Sequence, residues 1–220
     1  MSSAPIQAPI QAPAQASTQV DMYPLFLRLR GKRVLVVGAG PVATSKLVAL
    51  RAAGADLVVV APEVSTDIRA QAERGELVVH AREVRETDID EAWLVVAAAP
   101  SPVNRAVRTW AEARRCFVLA VDDVEATDAF SPAVFARAGV RVALSSEGRA
   151  PALIGLLREA LEHALPDDAE LERWMQIATE ARAGWKRDAL PLPERRSRLL
   201  SALCEARGTC ERRVPGEVVP

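Results

Sequence analysis

The chain has 220 residues, half of them hydrophobic and 26% charged, which is room for one domain of ordinary size and an accessory one. A net charge of −1 excludes a general nucleic-acid or membrane-surface binder. Three cysteines (Cys116, Cys204 and Cys210) and two histidines (His80 and His163) supply neither a disulfide framework nor structural-zinc spacing, and no apolar run approaches a membrane span.

Residues 1–21 open with an Ala/Pro/Gln/Ser tract that has little to bury and reads as a disordered leader. It lacks the basic start and apolar core of a secretory signal, so the expected compartment is the cytoplasm. Order is expected to begin at Met22-Tyr23-Pro24-Leu25-Phe26, whose aromatic and aliphatic side chains could seal the base of the first strand.

The apolar run Val34 to Val37 feeds into Gly38-Ala39-Gly40-Pro41-Val42-Ala43. A helix-compatible stretch follows (Thr44 to Ala53), Gly54 stops it, and Leu57 to Ala61 is a second apolar run. Strand, glycine turn, helix and parallel strand within about thirty residues is the geometry that binds a dinucleotide. Gly38 permits the tight turn, Gly40 lets the backbone approach a pyrophosphate, and Ala43 takes the small position where helix meets strand. The helix N-terminus offers unpaired N–H groups and partial positive charge to the phosphates.

Ser65 or Asp67 can cap a helix running to about Arg74, which Gly75 ends. Leu77 to His80 is a third strand, and Trp93 to Ala99, unbroken and apolar, a fourth that is covered on both faces. Pro102 to Arg115 fits a helix and Phe117 to Val121 a fifth strand. The alternation predicts an α/β, Rossmann-like, doubly wound parallel sheet. Ala133–Arg137 and Arg141–Ser145 then read as a β pair turning at Ala138-Gly139. After a polar loop, Pro151 opens a helix with an apolar stripe of Leu153, Leu156, Leu157, Ala160, Leu161 and Ala164, and Pro166 stops it. Asp167 caps a helix through about Arg187, and Pro193 to Ala206 fits a last one. The expected division is a leader (1–21), an NAD-binding Rossmann domain (22–121), a small α+β unit (122–166), a helical C-terminal domain (167–207) and a flexible tail (208–220).

Asp122 stands where the fifth strand emerges at the carboxyl edge of the sheet, where open α/β folds place ligands. It is either a general base facing a nicotinamide or a turn aspartate, and Asp123 is its rival. Glu63, about twenty positions past the glycines, is either the acceptor of a ribose hydroxyl bond or an ordinary loop glutamate. No arginine is its immediate neighbour, which favours NAD over NADP. Lys46, on the first turns of the dinucleotide helix, reaches an anionic ligand or is solvated. Ser145, Ser146 and Arg149 precede a helix start, an arrangement that suits carboxylate recognition or plain helix capping. His80 and His163 read as packed or surface histidines.

In order along the chain, Tyr23-Pro24-Leu25-Phe26-Leu27, Gly31-Lys32-Arg33-Val34 through Gly38-x-Gly40-x-Val42-Ala43-x-x-Lys46, and Val60-Ala61-Pro62-Glu63 are joined by Asp88-x-x-x-x-Ala92-Trp93-Leu94-Val95, Val103-Asn104, Val121-Asp122 and Ser145-Ser146-x-Gly148-x-Ala150-Pro151. This set, from about Tyr23 to Pro166, resembles the precorrin-2 dehydrogenase/sirohydrochlorin ferrochelatase family, the module that forms the N-terminal part of siroheme synthase. The resemblance implies NAD-dependent oxidation of precorrin-2 to sirohydrochlorin in siroheme biosynthesis, with Fe2+ inserted as a second substrate in some members. It implies Asp122 as the essential carboxylate, and Pro41-Val42 and Pro62-Glu63 as NAD contacts. It also implies Ser146 as a serine near the tetrapyrrole pocket that is phosphorylated in some relatives, no resident metal, and a homodimer interlocked through the middle unit. A substrate ringed with carboxylates makes Lys46, Arg137 and Arg149 candidate contacts. The sequence departs from the family pattern at Ala99-Pro100-Ser101 (usually Thr-Asp-Asp), at Leu119 (usually Asn) and at Glu147 (usually Gly). The alternatives are a different small NAD-dependent oxidoreductase and an NAD-sensing regulatory module without catalysis.

Overall fold

A computed structural model describes residues 22–121 and 123–207. Five parallel strands, β1 (Arg33–Val37), β2 (Asp56–Val60), β3 (Val78–His80), β4 (Leu94–Ala97) and β5 (Phe117–Ala120), lie in the order β3-β2-β1-β4-β5. Helices α1 (Pro41–Ala52), α2 (Thr66–Glu73) and α3 (Ser101–Ala113) make the crossovers.

The unbroken apolar character of β1 follows from burial on both faces. Val34 and Val36 pack with Leu47 of α1 and Ile68 of α2, while Leu35 and Val37 pack with Val107 and Ala111 of α3. All four strand residues are buried, and each such side chain contributes about 1.5–3 kcal/mol. The helix between β1 and β2 and the one after β4 therefore lie on opposite faces, the doubly wound arrangement read from the sequence.

Caps and turns fall where side-chain chemistry puts them. Ser65 Oγ accepts from the Ile68 N–H at 3.4 Å, so Ser65 rather than Asp67 starts α2. The connection from β3 to β4 is held by Asp88, which is buried and accepts from Arg82 Nη1 and Nη2 at 2.7 and 2.6 Å and from the Arg85 N–H at 2.7 Å. The bidentate Arg82 contact, helped by the Arg85 amide, holds the Asp88 carboxyl below its ordinary range against the opposing effect of burial.

Beyond β5, β6 (Ala133–Arg137) and β7 (Val140–Leu144) form an antiparallel pair. Ala138 and Gly139 both have positive φ (46° and 81°), the two-residue hairpin turn whose twist matches the flanking strands. β7 therefore begins at Val140, one residue earlier than the sequence reading. Helix α4 (Pro151–Ala164) lies on β6, and α5 (Asp168–Arg187), capped by Asp167 on the Glu170 N–H at 2.8 Å, packs with α6 (Leu192–Arg207).

Two expectations are corrected. Tyr23, Leu25, Phe26 and Leu27 do not seal the base of β1: all are exposed, Tyr23 by 85%, and Leu29 is the buried residue there. The leucine stripe of α4 exists but is uncovered, with Leu153, Leu156, Leu157 and Leu161 all exposed. Among the described residues nothing covers this stripe. The expected leader, 1–21, and the tail, 208–220, lie outside the described residues.

Candidate functional site

The carboxyl ends of β1, β2 and β4 meet at the glycine turn. The Gly38 N–H donates to the Val60 carbonyl at 2.9 Å, and the Ala98 N–H to the Val37 carbonyl at 2.8 Å. Gly38 has φ 105°, and a Cβ there would lie 2.2 Å from the Ala98 carbonyl oxygen, so the turn is packed against the end of β4. Gly40 differs: a Cβ would meet nothing within 4 Å, and the residue is exposed. Gly40 is the N-cap of α1 with no side-chain cap, Pro41 takes the first helical position, and no acidic side chain lies in the first turn. The Val42 and Ala43 N–H groups thus have neither an intrahelical nor a capping acceptor. Ala43 is fully buried, which brings the helix close to β1. Open space above Gly40, uncapped N–H groups and no competing carboxylate fit the pyrophosphate of a dinucleotide. Pro62 and Glu63, both exposed, follow β2 directly, and β2 is paired in register with β1 through Val37 and Val60. Arg69 Nε donates to the Val64 carbonyl at 3.2 Å, which brings one guanidinium to the residue after Glu63, a neighbour invisible in linear sequence.

On the β4 side, the altered Ala99-Pro100-Ser101 loop is fixed by Asn104. This side chain is buried, and its Oδ1 accepts from the Ala99 N–H at 3.1 Å. On the β5 side, strand pairing continues one residue past β5, since the Val121 N–H donates to the Ala97 carbonyl at 2.9 Å. Asp122, the next residue, lies outside the described residues. Its rival Asp123 is committed to a turn, its Oδ1 accepting from the Ala126 N–H at 3.1 Å.

The second unit approaches this edge through Lys46. Its ammonium donates to Ser131 Oγ at 3.0 Å, linking α1 to the residues that lead into β6. Ser131 in turn lines a pocket of about 160 Å³ with Phe130, Leu144, Ser145, Ser146 and Ile154 among its walls. Lys46 thus touches a residue, Ser131, that shares this pocket with Ser146. Ser146 Oγ accepts from the Ala150 N–H at 2.9 Å, a local cap ahead of α4.

The two candidate arginines fare differently. Arg149 is exposed and pairs with Glu147 at 3.5 Å, so the unusual glutamate turns toward that guanidinium and offsets its charge. Arg137 is spent on the end of α4, donating from Nη1 to the carbonyls of Glu162, Leu165 and Pro166 at 2.9, 3.3 and 3.1 Å. It is a C-terminal clasp rather than a substrate contact. His80 and His163 are surface residues. Sequence reasoning missed Ser131 altogether, because only folding brings it to Lys46, and it quoted Asn104 without a role.

Residues 25–133 match a family model for NAD(P)-binding domains. The siroheme synthase of Chromobacterium violaceum is 43% identical over 148 residues, which is 67% of this chain and 32% of the relative. That of Photorhabdus laumondii is 37% identical over 179 residues, 81% of this chain and 38% of the relative. Among solved structures, SirC, precorrin-2 dehydrogenase, superposes with a TM-score of 0.62 at 27% identity, covering 82% of this chain and 88% of that one. The chain belongs to the siroheme synthase/precorrin-2 dehydrogenase family. It spans about a third of the length of the siroheme synthases it matches. Membership accounts for the fold order, and the glycine cradle lies within the residues that match the NAD(P)-binding model. Among the described residues no helix is long and apolar enough to cross a membrane.

Proposed function

We propose that this chain catalyses the NAD-dependent dehydrogenation of precorrin-2 to sirohydrochlorin. The observation that carries the reading is the likeness to SirC, precorrin-2 dehydrogenase, over most of both chains. It is supported by a cradle open above Gly40 and by the hydrogen bond from Lys46 to Ser131, which lines a pocket with the serine loop. In this reading Gly38, Ala39, Gly40, Pro41, Val42 and Ala43 hold the pyrophosphate, and Pro62 and Glu63 the adenosine ribose. NAD+ supplies a hydride acceptor.

The reaction removes two hydrogens from the macrocycle: one leaves as hydride to the nicotinamide and the other as a proton. Asp122 is the base that takes the proton, since Asp123 is already engaged in its turn. Positioning supplies much of the rate and a base about 10²–10⁴-fold more. Lys46, Ser146 and, when released by Glu147, Arg149 contact the carboxylates of the substrate. The leucine face of α4 suits pairing of two copies, and the compartment is cytoplasmic.

Fe2+ insertion to give siroheme is a second activity that the names of the siroheme synthase relatives suggest. Among the described residues no group of three or more His, Cys, Asp and Glu side chains is arranged to hold a metal. Purified protein with precorrin-2 and NAD+ should develop the absorbance of sirohydrochlorin, and Asp122→Ala should abolish this while NAD+ still binds. Unaltered turnover by Asp122→Ala would remove the assigned role. Adding Fe2+ to the product in the same cuvette separates one activity from two, and an inert wild type would favour a sensing module.

A further inference from the structure

The pocket between the β6–β7 pair and α4 has chemistry of its own, and Lys46 of α1 reaches it through Ser131. Three of its walls are serines whose oxygens are already used as acceptors: Ser131 by Lys46 Nζ at 3.0 Å, Ser145 by the Glu147 N–H at 3.1 Å, and Ser146 by the Ala150 N–H at 2.9 Å. None of the three hydroxyls donates to a described acceptor, so their protons are what remains to offer. An ammonium with further N–H groups stands at Ser131. The Glu147 carboxylate is paired with Arg149, and among the described residues no carboxylate forms an ion pair with Lys46.

The volume, about 160 Å³, is far below the roughly 300–1,000 Å³ of pockets that enclose whole ligands. A macrocycle cannot enter, whereas one of its carboxylate arms can. Hydroxyl donors and an ammonium around apolar walls of Phe130, Leu144 and Ile154 match an arm with a short aliphatic stem and an anionic end.

We infer that this pocket is a subsite for a single carboxylate arm of the substrate, and that Ser131 is the positioning residue that holds the Lys46 ammonium at its mouth. The inference rests on the proposed reading only for the identity of the natural substrate. Lys46 is a long side chain with many rotamers, so a fixed acceptor for it removes part of the ordering cost of binding. Ser131 belongs to the segment leading into β6 and Lys46 to α1, so the pair also sets how the cofactor helix meets the second unit.

Binding of uroporphyrin III, an octacarboxylate tetrapyrrole, followed by tryptophan fluorescence, tests this without turnover. Lys46→Met and Ser131→Ala should each weaken binding about tenfold, the loss of one charge-assisted contact. The double variant should be no weaker than Lys46→Met, because the two act as a unit. Ser131→Thr should restore most of the affinity, and NAD+ affinity should stay the same throughout, which also reports that the variants fold. Wild type that does not bind the porphyrin, Ser131→Ala that binds like wild type, or losses that multiply in the double variant would each overturn the subsite. A wild type that shows this binding pattern yet fails to oxidise precorrin-2 would instead sink the proposed reaction and leave the subsite standing.

Discussion

Gly38 lies so close to the Ala98 carbonyl that the two residues admit no side chain between them: a Cβ would stand 2.2 Å from the oxygen and 2.7 Å from the carbon. Gly40, two residues on, faces open space. One glycine serves the packing of β1 against β4 and the other serves the ligand. Gly38→Ala should cost about 1–3 kcal/mol of stability as backbone shifts to relieve the overlap. Gly40→Ala should leave stability within about 0.5 kcal/mol while weakening NAD+ binding. Urea unfolding and a fluorescence titration with NAD+ read the two effects separately. Equal destabilisation by both substitutions would contradict the division of labour.

Cofactor choice should turn on Glu63. Its carboxylate, exposed just past β2, would repel a 2′-phosphate. Glu63→Gln should weaken NAD+ binding several-fold and narrow the gap to NADP+. Glu63→Arg, beside Arg69 at the Val64 carbonyl, should reverse the preference. Dissociation constants for both cofactors, measured at one ionic strength, check this.

Acid should loosen the link between β3 and β4. The folded-state pKa of Asp88 is lowered from 3.8, chiefly by the Arg82 hydrogen bonds. Its contribution to stability is therefore fully present above the unfolded value and lost as pH falls through the lower folded value. Asp88→Asn should be less stable than wild type at neutral pH, and the two should converge in urea midpoint as the pH falls below the ordinary carboxylate range and through the lowered folded value. A difference that persists unchanged at the acid end would mean that the carboxylate charge is not what Arg82 recognises.

Glu147 occupies a left-handed conformation (φ 56°) in which a non-glycine residue costs about 1–2 kcal/mol. Glu147→Gly should remove that cost, and it also frees the Arg149 guanidinium. Stability should stay level or rise despite the lost ion pair, because a long pair (3.5 Å) whose arginine is exposed is worth little. Affinity for a polycarboxylate tetrapyrrole should increase, with a steeper dependence on salt. Weaker porphyrin binding by the variant would show that Glu147 orients Arg149 rather than masking it.

The Rossmann half was legible because one-dimensional patterns determine it. Val34 to Val37 and Leu94 to Ala97 are apolar because they are covered on both faces, and a glycine turn after a strand has few other uses. Strand ends were set a residue or two wide, as at Trp93, Ala98 and Ala99, because apolar character continues past Leu94–Ala97; Trp93 and Ala98 still donate to the Arg33 and Val37 carbonyls of β1. The site beyond the glycines was less legible. Ser131 meets Lys46 across 85 positions, and Arg69 returns to Val64 only because α2 starts there, contacts that no linear spacing encodes. Arg137 misled for the same reason: its positive charge suggested an acidic ligand, but three carbonyls at the end of α4 had claimed it.

The margin of the sheet at β5 is finished by the chain's own polar groups. The Val118 and Ala120 N–H groups donate to Asp128 Oδ2 and Thr127 Oγ1 at 3.1 and 3.0 Å, the Val118 carbonyl accepts from the Asp128 N–H at 2.7 Å, and Arg108 pins Asp128 at 2.9 Å. An incoming strand would find the Val118 and Ala120 N–H groups and the Val118 carbonyl already engaged, so this border resists the lengthwise fusion of sheets that leads to fibres.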